Sequence, residues 1–266
     1  MLTGLPRDFE RAAPNLRKRV IERYSIQPED IYISVWSDRG YWYPGDAAKS
    51  KSFLESGKVQ VDQIHSIYPS SQIELENFED KRDLFNKILE SYPEVYLPSI
   101  QHSNYMVRGI NLVSMLYKMS RGLHLAVSNP QITHIVRTRP DLVVSMRLPK
   151  MTNKHLIVAK QSSHLGLGIG DNLHFGPTLA HIPIMNAYEN LPALFQRTGG
   201  ILCPHLIMEA ALNAGRVSFV QKKILFETLH TPGGMYAAQE KDGRWKKAQQ
   251  VDYERSNRPF RGSPGA

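Results

Sequence analysis

The sequence predicts a single α/β domain, a mixed sheet with helices on its faces. Strand-like and helix-like apolar patterns alternate along most of the chain, the order that produces such a layered sheet. The 266 residues are 41% hydrophobic, enough to bury a sizeable core. Between about residues 120 and 180 the chain holds strands and Gly-rich loops rather than helices, so the sheet is expected to turn partly antiparallel in its second half.

Leu2-Thr3-Gly4 reads as the stub of a strand entering a Gly-Leu-Pro turn, which leaves the first strand almost absent: either the start is truncated or that edge of the sheet is thin. Leu16, Val20, Ile21 and Tyr24 then recur at helical spacing, with Pro14 placed where a first helical turn tolerates it. Ile31 to Trp36 is a short, β-rich apolar run and predicts a buried strand. A loop rich in Gly, Pro and aromatics covers Ser37 to Ser52. Leu84, Phe85, Ile88 and Leu89 predict a helix behind the acidic start Glu79-Asp80. Met106, Ile110, Val113, Leu116 and Tyr117 predict another, ending near Gly122. Ile132 to Val136 is the clearest strand, followed by Leu156–Ala159 and Leu173–Phe175. Pro204 opens a helix that stops at Gly215, and Val217–Val220 returns as a strand. Beyond about Gly233 apolar periodicity fades, so residues 1–232 form the expected domain and 233–266 a basic, partly ordered tail that is dispensable for folding.

Composition narrows the setting. No apolar run approaches the ~18 residues of a membrane span, and Met1 to Arg7 does not read as a secretory signal. The single cysteine, Cys203, is most simply a buried thiol, so a cytoplasmic location, or a peripheral one on the inner face of the membrane, is expected. The net charge is +8, concentrated at Arg17-Lys18-Arg19 and between Lys241 and Arg261. That balance fits either a solvated basic surface or anionic partners such as phosphates or an acidic lipid surface. No aromatic residues interleave the basic stretches on a recognisable module, so no nucleic-acid partner is expected.

The segment that carries chemistry is His134-Ile135-Val136-Arg137-Thr138-Arg139-Pro140-Asp141-Leu142. If it stays extended, Arg137, Arg139 and Asp141 project to one face at the carboxyl end of a strand, where open α/β sheets bind ligands. Guanidinium forks match phosphate oxygens. One carboxylate plus substrate phosphates is also enough to hold Mg²⁺ or Mn²⁺. The same residues fit a buried Arg–Asp pair that pins two strands. A second candidate is the run from Gly166 to Gly176, in which Asp171 enters a strand; a turn capped by Asp171 is its alternative. His205 and Glu209 share one side of the last helix, a spacing more often a surface or core contact than a metal site.

Taken together, Thr3-Gly4-Leu5-Pro6-Arg7, the strand Ile31–Trp36, the Arg137-Thr138-Arg139-Pro140-Asp141-Leu142 box and the Gly170-Asp171-Asn172-Leu173-His174-Phe175-Gly176 box resemble bacterial glycosyltransferases of lipopolysaccharide and capsule assembly, the WavE-like group, over roughly residues 1 to 230. The resemblance implies a GT-A-like (Rossmann-like) fold, a nucleotide-sugar donor and a glycan or lipid-linked acceptor. The Arg-x-Arg-x-Asp box would stand where that fold usually carries Asp-x-Asp. No Asp-x-Asp occurs in this chain, so a Mn²⁺ or Mg²⁺ requirement stays conditional. On this reading Thr3, Gly4 and Arg7 approach the nucleotide, with Arg7 on a phosphate, and Arg137 and Arg139 bind the diphosphate. Asp141 orients an arginine or holds the metal, and Asp171 is the base of an inverting transfer. Two other classes stay open: an inert nucleotide- or glycan-binding relative in an assembly complex, and a basic nucleic-acid-binding α/β protein.

Overall fold

A computed structural model describes residues 1–39, 57–70, 72–92, 96–98, 104–106, 109–160 and 168–228. The loop expected up to Ser52 lies mostly outside these residues, as do the first residues of the Gly166–Gly176 run and the basic tail from 233.

Seven strands form the central sheet: β1 (Leu2–Gly4), β2 (Tyr32–Trp36), β3 (Gln72–Glu76), β6 (His134–Thr138), β8 (Leu156–Ala159), β9 (Leu173–Pro177) and β10 (Phe219–Lys222). Their order is β10-β8-β9-β6-β1-β2-β3. All run parallel except β9, which pairs antiparallel with both β6 and β8. The mixed second half is therefore as expected. The short first strand is not a thin edge: β1 sits between β6 and β2, with Leu2 opposite both Thr138 and Ile33. Two small antiparallel pairs stand apart, β4 (Tyr96–Pro98) with β5 (Asn104–Met106), and β7 (Leu142–Val144) with β11 (Phe226–Thr228).

Alternation divides the core. On one face pack α4 (Gly109–Val127), α5 (Thr178–Met185), α6 (Leu191–Arg197) and α7 (Pro204–Ala214), around Leu112, Leu116, Leu123, Ile135, Val158 and Ile207. On the other, α1 (Phe9–Leu16) covers Ile33, Val35, Val136 and Ile157 with Phe9 and Leu16. Two further described helices are α2 (Val61–Ile67) and α3 (Glu79–Leu89). The Asn15 side chain clamps α1 to β7, donating to the Val144 carbonyl at 3.1 Å and accepting from the Val144 N–H at 2.7 Å.

Several boundaries differ from expectation. Pro14 lies inside α1, not in its first turn, and the helix continues through a π-turn at Arg17–Ile21. A proline removes one ladder bond and crowds the preceding turn, which a widened turn relieves. Met106 belongs to β5, and α4 begins only at Gly109. Nor does α4 stop at Gly122. A Cβ there would stand 2.5 Å from Thr3 Cγ2, so this glycine lets the helix lie directly on β1. The strand read at 132–136 is displaced to His134–Thr138, and the last expected strand to Phe219–Lys222.

Beneath α4 the sheet carries a polar network. Lys118 is fully buried, 2.6 Å from Glu76 and 3.4 Å from Glu74, with its ammonium 4.5 Å from the Trp36 ring centre. Arg121 adds a fork to Glu74 at 2.6 and 2.9 Å, and Ser34 donates to it at 2.9 Å. Burial pushes the Glu74 carboxyl up, but the Arg121 and Ser34 bonds and the Lys118 charge outweigh it and hold the group at about 2. A depressed carboxyl contributes stability above its unfolded value of roughly 4.3 that is lost as pH falls toward the folded one. The melting temperature of the native chain should therefore fall more steeply than that of Glu74→Gln between pH 5 and 2. Parallel curves would show that the network does not hold α4 to the sheet.

Candidate functional site at the ends of β1 and β6

The sheet order creates the site. From β1 the chain moves outward to β2 and β3 on one side, while β6 occupies the other side of β1. The connections thus leave in opposite directions from β1 and β6, and in open α/β sheets such a switch point opens a crevice outside the carboxyl ends of the strands. Gly4 ends β1 and Arg7 follows it at that crevice, and Arg139 and Asp141 follow β6. Because β9 runs antiparallel, its start brings Asp171 to the same edge, where Leu173 pairs with Thr138.

The Arg-x-Arg-x-Asp box does not stay extended. β6 ends at Thr138, and the chain turns so that the Leu142 N–H donates to the Arg139 carbonyl at 3.3 Å. The three charged residues are consequently not in one row. Arg139 folds back on Asp141 as a fork, Nε to Oδ1 at 2.8 Å and Nη2 to Oδ2 at 2.7 Å. Arg7 reaches the same Oδ2 at 3.5 Å from the β1 side. The Asp141 side chain is fully buried, whereas those of Arg7 and Arg139 are 10% and 19% exposed.

Arg137 points into the face covered by α4. It is buried, and its Nε donates to Thr3 Oγ1 at 2.9 Å. Thr3 is itself fully buried, so its hydroxyl supports an arginine rather than meeting a nucleotide in the crevice. Arg137 Nη1 has no hydrogen-bond partner among the described residues. Burial pulls this guanidinium down to about 10, with Arg139 adding to the fall while Asp171 and Asp141 oppose it. Gly4 has φ +112 and open space where a Cβ would stand, so the backbone there is approachable.

Asp171 is half-buried. Burial raises its carboxyl, but His205, Arg139 and Arg137 together bring it below its ordinary value. Two histidines that composition did not single out as a pair flank it. His174, opposite Arg137 in the β6–β9 ladder, lies with Nε2 2.6 Å from the Gly170 carbonyl, and burial, then the Arg137 charge, lowers it to about 3. It is therefore a neutral ring at physiological pH. His205, near the start of α7, lies with Nδ1 2.9 Å from the Ile169 carbonyl, while the Ile169 N–H donates to the His205 carbonyl at 3.2 Å. Alternation opposite Arg137 was a usable signal for His174. Nothing local in the sequence marks His205 as a neighbour of Asp171, because a long-range packing contact joins them.

No protein-family model and no curated protein matches the chain. Among solved structures, the apo form of mouse xyloside xylosyltransferase 1 is similar over 84% of this chain and 83% of its own, with a TM-score of 0.39 and 10% identity. A likeness of that degree assigns no residue a role.

The surroundings of Asp141 suit a metal poorly. Both of its oxygens accept from guanidinium groups, whose charge opposes a dication at the same atoms. Among the described residues no three His, Cys, Asp or Glu side chains gather to ligate one. Among the described residues, Arg7 and Arg139 at the crevice and Arg137 behind it outnumber the carboxylates of Asp141 and Asp171, a setting for an anionic ligand.

No helix among the described residues is long and apolar enough to cross a membrane.

Proposed function

We propose that the chain is a GT-A-like glycosyltransferase that moves a sugar from a nucleotide-sugar donor to a glycan or lipid-linked acceptor in surface-polysaccharide assembly, working at the cytoplasmic face of the membrane. The observation that carries this reading is the gathering of Arg7, Arg137 and Arg139 with Asp141 and Asp171 at the switch point between β1 and β6. The motif resemblance supplies the reaction class. The donor diphosphate lies over Gly4 and the Arg139–Leu142 turn, with Arg7 and Arg139 nearest the phosphates. Arg137 acts from behind the sheet edge through its charge. Preorganised positive charge matters most as the nucleoside diphosphate departs and gains negative charge. In this role the arginines neutralise the leaving group, and Asp141 holds two of them in place.

The test is a thermal-shift panel of nucleoside diphosphates and nucleotide sugars on the full chain, with and without Mn²⁺. A bound donor at ~100 times its Kd should add about 2.7 kcal/mol of stability, or roughly 5–10 °C for a domain of this size. Because guanidinium groups occupy Asp141, the shift is expected without Mn²⁺ as well. No shift with any nucleoside diphosphate would remove the donor reading.

One observation favours an inert, ligand-binding relative: Asp171 lies in the field of His205, Arg139 and Arg137, which lowers its carboxyl and makes it a weak base, and both oxygens of Asp141 are taken up by guanidinium groups. Release of nucleoside diphosphate from a bound nucleotide sugar by the purified chain would exclude it.

A further inference from the structure

We propose that His205 takes the proton from the acceptor hydroxyl, with Asp171 as the fixed anion beside it; the inference rests on the transferase reading above. A carbonyl oxygen can only accept, so the 2.9 Å contact with Ile169 places the proton on His205 Nδ1. In the neutral ring the lone pair is then on Nε2. His205 is half-buried, and its Nε2 has no hydrogen-bond partner among the described residues.

The ring is held in register with the loop that carries Asp171. The Ile169 N–H donates to the His205 carbonyl at 3.2 Å, closing a second tie between the same two residues. Gly168, at φ +68, packs so closely that a Cβ there would stand 2.4 Å from the His205 carbonyl carbon. The positions of His205 and Asp171 are thus set by one clamp.

This division of labour follows from the charges. Asp171 sits among Arg137, Arg139 and His205, so its carboxylate stays ionised and is a poor acceptor of a proton. Imidazole is the side chain best matched to proton transfer near neutral pH, and a nearby carboxylate stabilises the imidazolium as it forms. In the single displacement, the acceptor oxygen forms its bond to the anomeric carbon as its proton passes to Nε2. The bond from that carbon to the diphosphate oxygen breaks, and the nucleoside diphosphate leaves with the electron pair toward Arg139 and Arg7.

Two measurements on the full chain test this. The first is carbethoxylation by diethyl pyrocarbonate, which needs a reachable nitrogen lone pair, followed residue by residue by mass spectrometry. His205 should react, and inorganic pyrophosphate should slow it several-fold while the exposed His65 remains unaffected. If pyrophosphate raises the melting temperature yet leaves His205 reactivity unchanged, the His205 assignment is wrong while the anion site stands. If pyrophosphate neither stabilises the chain nor protects His205, the donor reading fails and this one falls with it.

The second uses the nucleotide sugar that gives the largest thermal shift and follows release of its nucleoside diphosphate. His205→Asn keeps an N–H for the Ile169 carbonyl but has no Nε2. It should bind the donor as the native chain does and turn over at least ~100-fold more slowly, the usual contribution of a positioned base. His205→Gln, which restores a polar atom near Nε2 but cannot take up a proton, should be equally slow. Native turnover in His205→Asn would overturn the proposal.

Discussion

Asp141→Asn is expected to lower the melting temperature by on the order of 10 °C. The carboxylate is fully buried and receives both arms of the Arg139 fork and the tip of Arg7. Asparagine keeps the shape but removes the charge, and one of its two terminal atoms becomes a donor facing a guanidinium. Arg7 and Arg139, both largely buried, lose the carboxylate they share. Breaking a buried pair by removing one partner costs about 3–5 kcal/mol, and each kcal/mol moves a domain of this size by about 2–4 °C. A shift under ~3 °C would show that the turn after β6 does not depend on this pair. The companion variant Arg139→Lys keeps the charge and loses the planar fork. It should weaken the binding of whichever nucleoside diphosphate the panel identifies, measured on the folded protein. Unchanged affinity in both variants would leave the box with a purely structural role.

The second large effect has the opposite pattern. Arg137→Met should leave stability within about 1 kcal/mol of the native value, or raise it slightly, because an apolar chain of similar length replaces a charge that burial disfavours. That disfavour is visible in the guanidinium itself, drawn down to about 10. The Thr3 hydroxyl loses its donor, a minor cost beside the desolvation removed. Ligand affinity should nonetheless fall on the order of tenfold. A unit charge ~10 Å away contributes roughly 1.7 kcal/mol at an effective dielectric constant near 20. Titrating the chain with inorganic pyrophosphate and a nucleoside diphosphate, alongside melting curves, separates the two quantities. A variant that unfolds early yet binds both anions like the native chain would show that Arg137 serves packing alone.

Much of the sheet was legible because its strands carry local signals. Leu156–Ala159 is a continuous apolar run and Tyr32–Trp36 is apolar but for Ser34, and each is buried along its whole length. The helix from Pro204 to Ala214 was bounded by a proline and a glycine. What local pattern could not show was contact. Gly122 reads as a helix stop, yet it lies inside α4 because the helix crosses β1 there. The short helices α2, α5 and α6 and the edge strand β3 carry no strong local period. Gln72–Glu76 alternates only partly buried apolar residues with glutamates that the network under α4 takes up.

By itself the sequence determined which residue types could do chemistry and roughly where along the chain they stand: Arg7 after the first strand, Arg137, Arg139 and Asp141 around the end of another, Asp171 before a third. Strand periodicity and turn residues act over a few positions, so they survive in one dimension. Tertiary structure alone decided how those residues divide the work. The turn at Arg139–Leu142 sends Arg139 back onto Asp141, and the parallel pairing of β1 with β6 brings Arg7 to the same carboxylate. The close approach of the Gly168–Ile169 segment to α7 joins His205 to Asp171. These contacts span up to 134 residues of chain. They exist because burying the two faces of the sheet gathers charged groups at its edge, where residues far apart in the chain pair with one another.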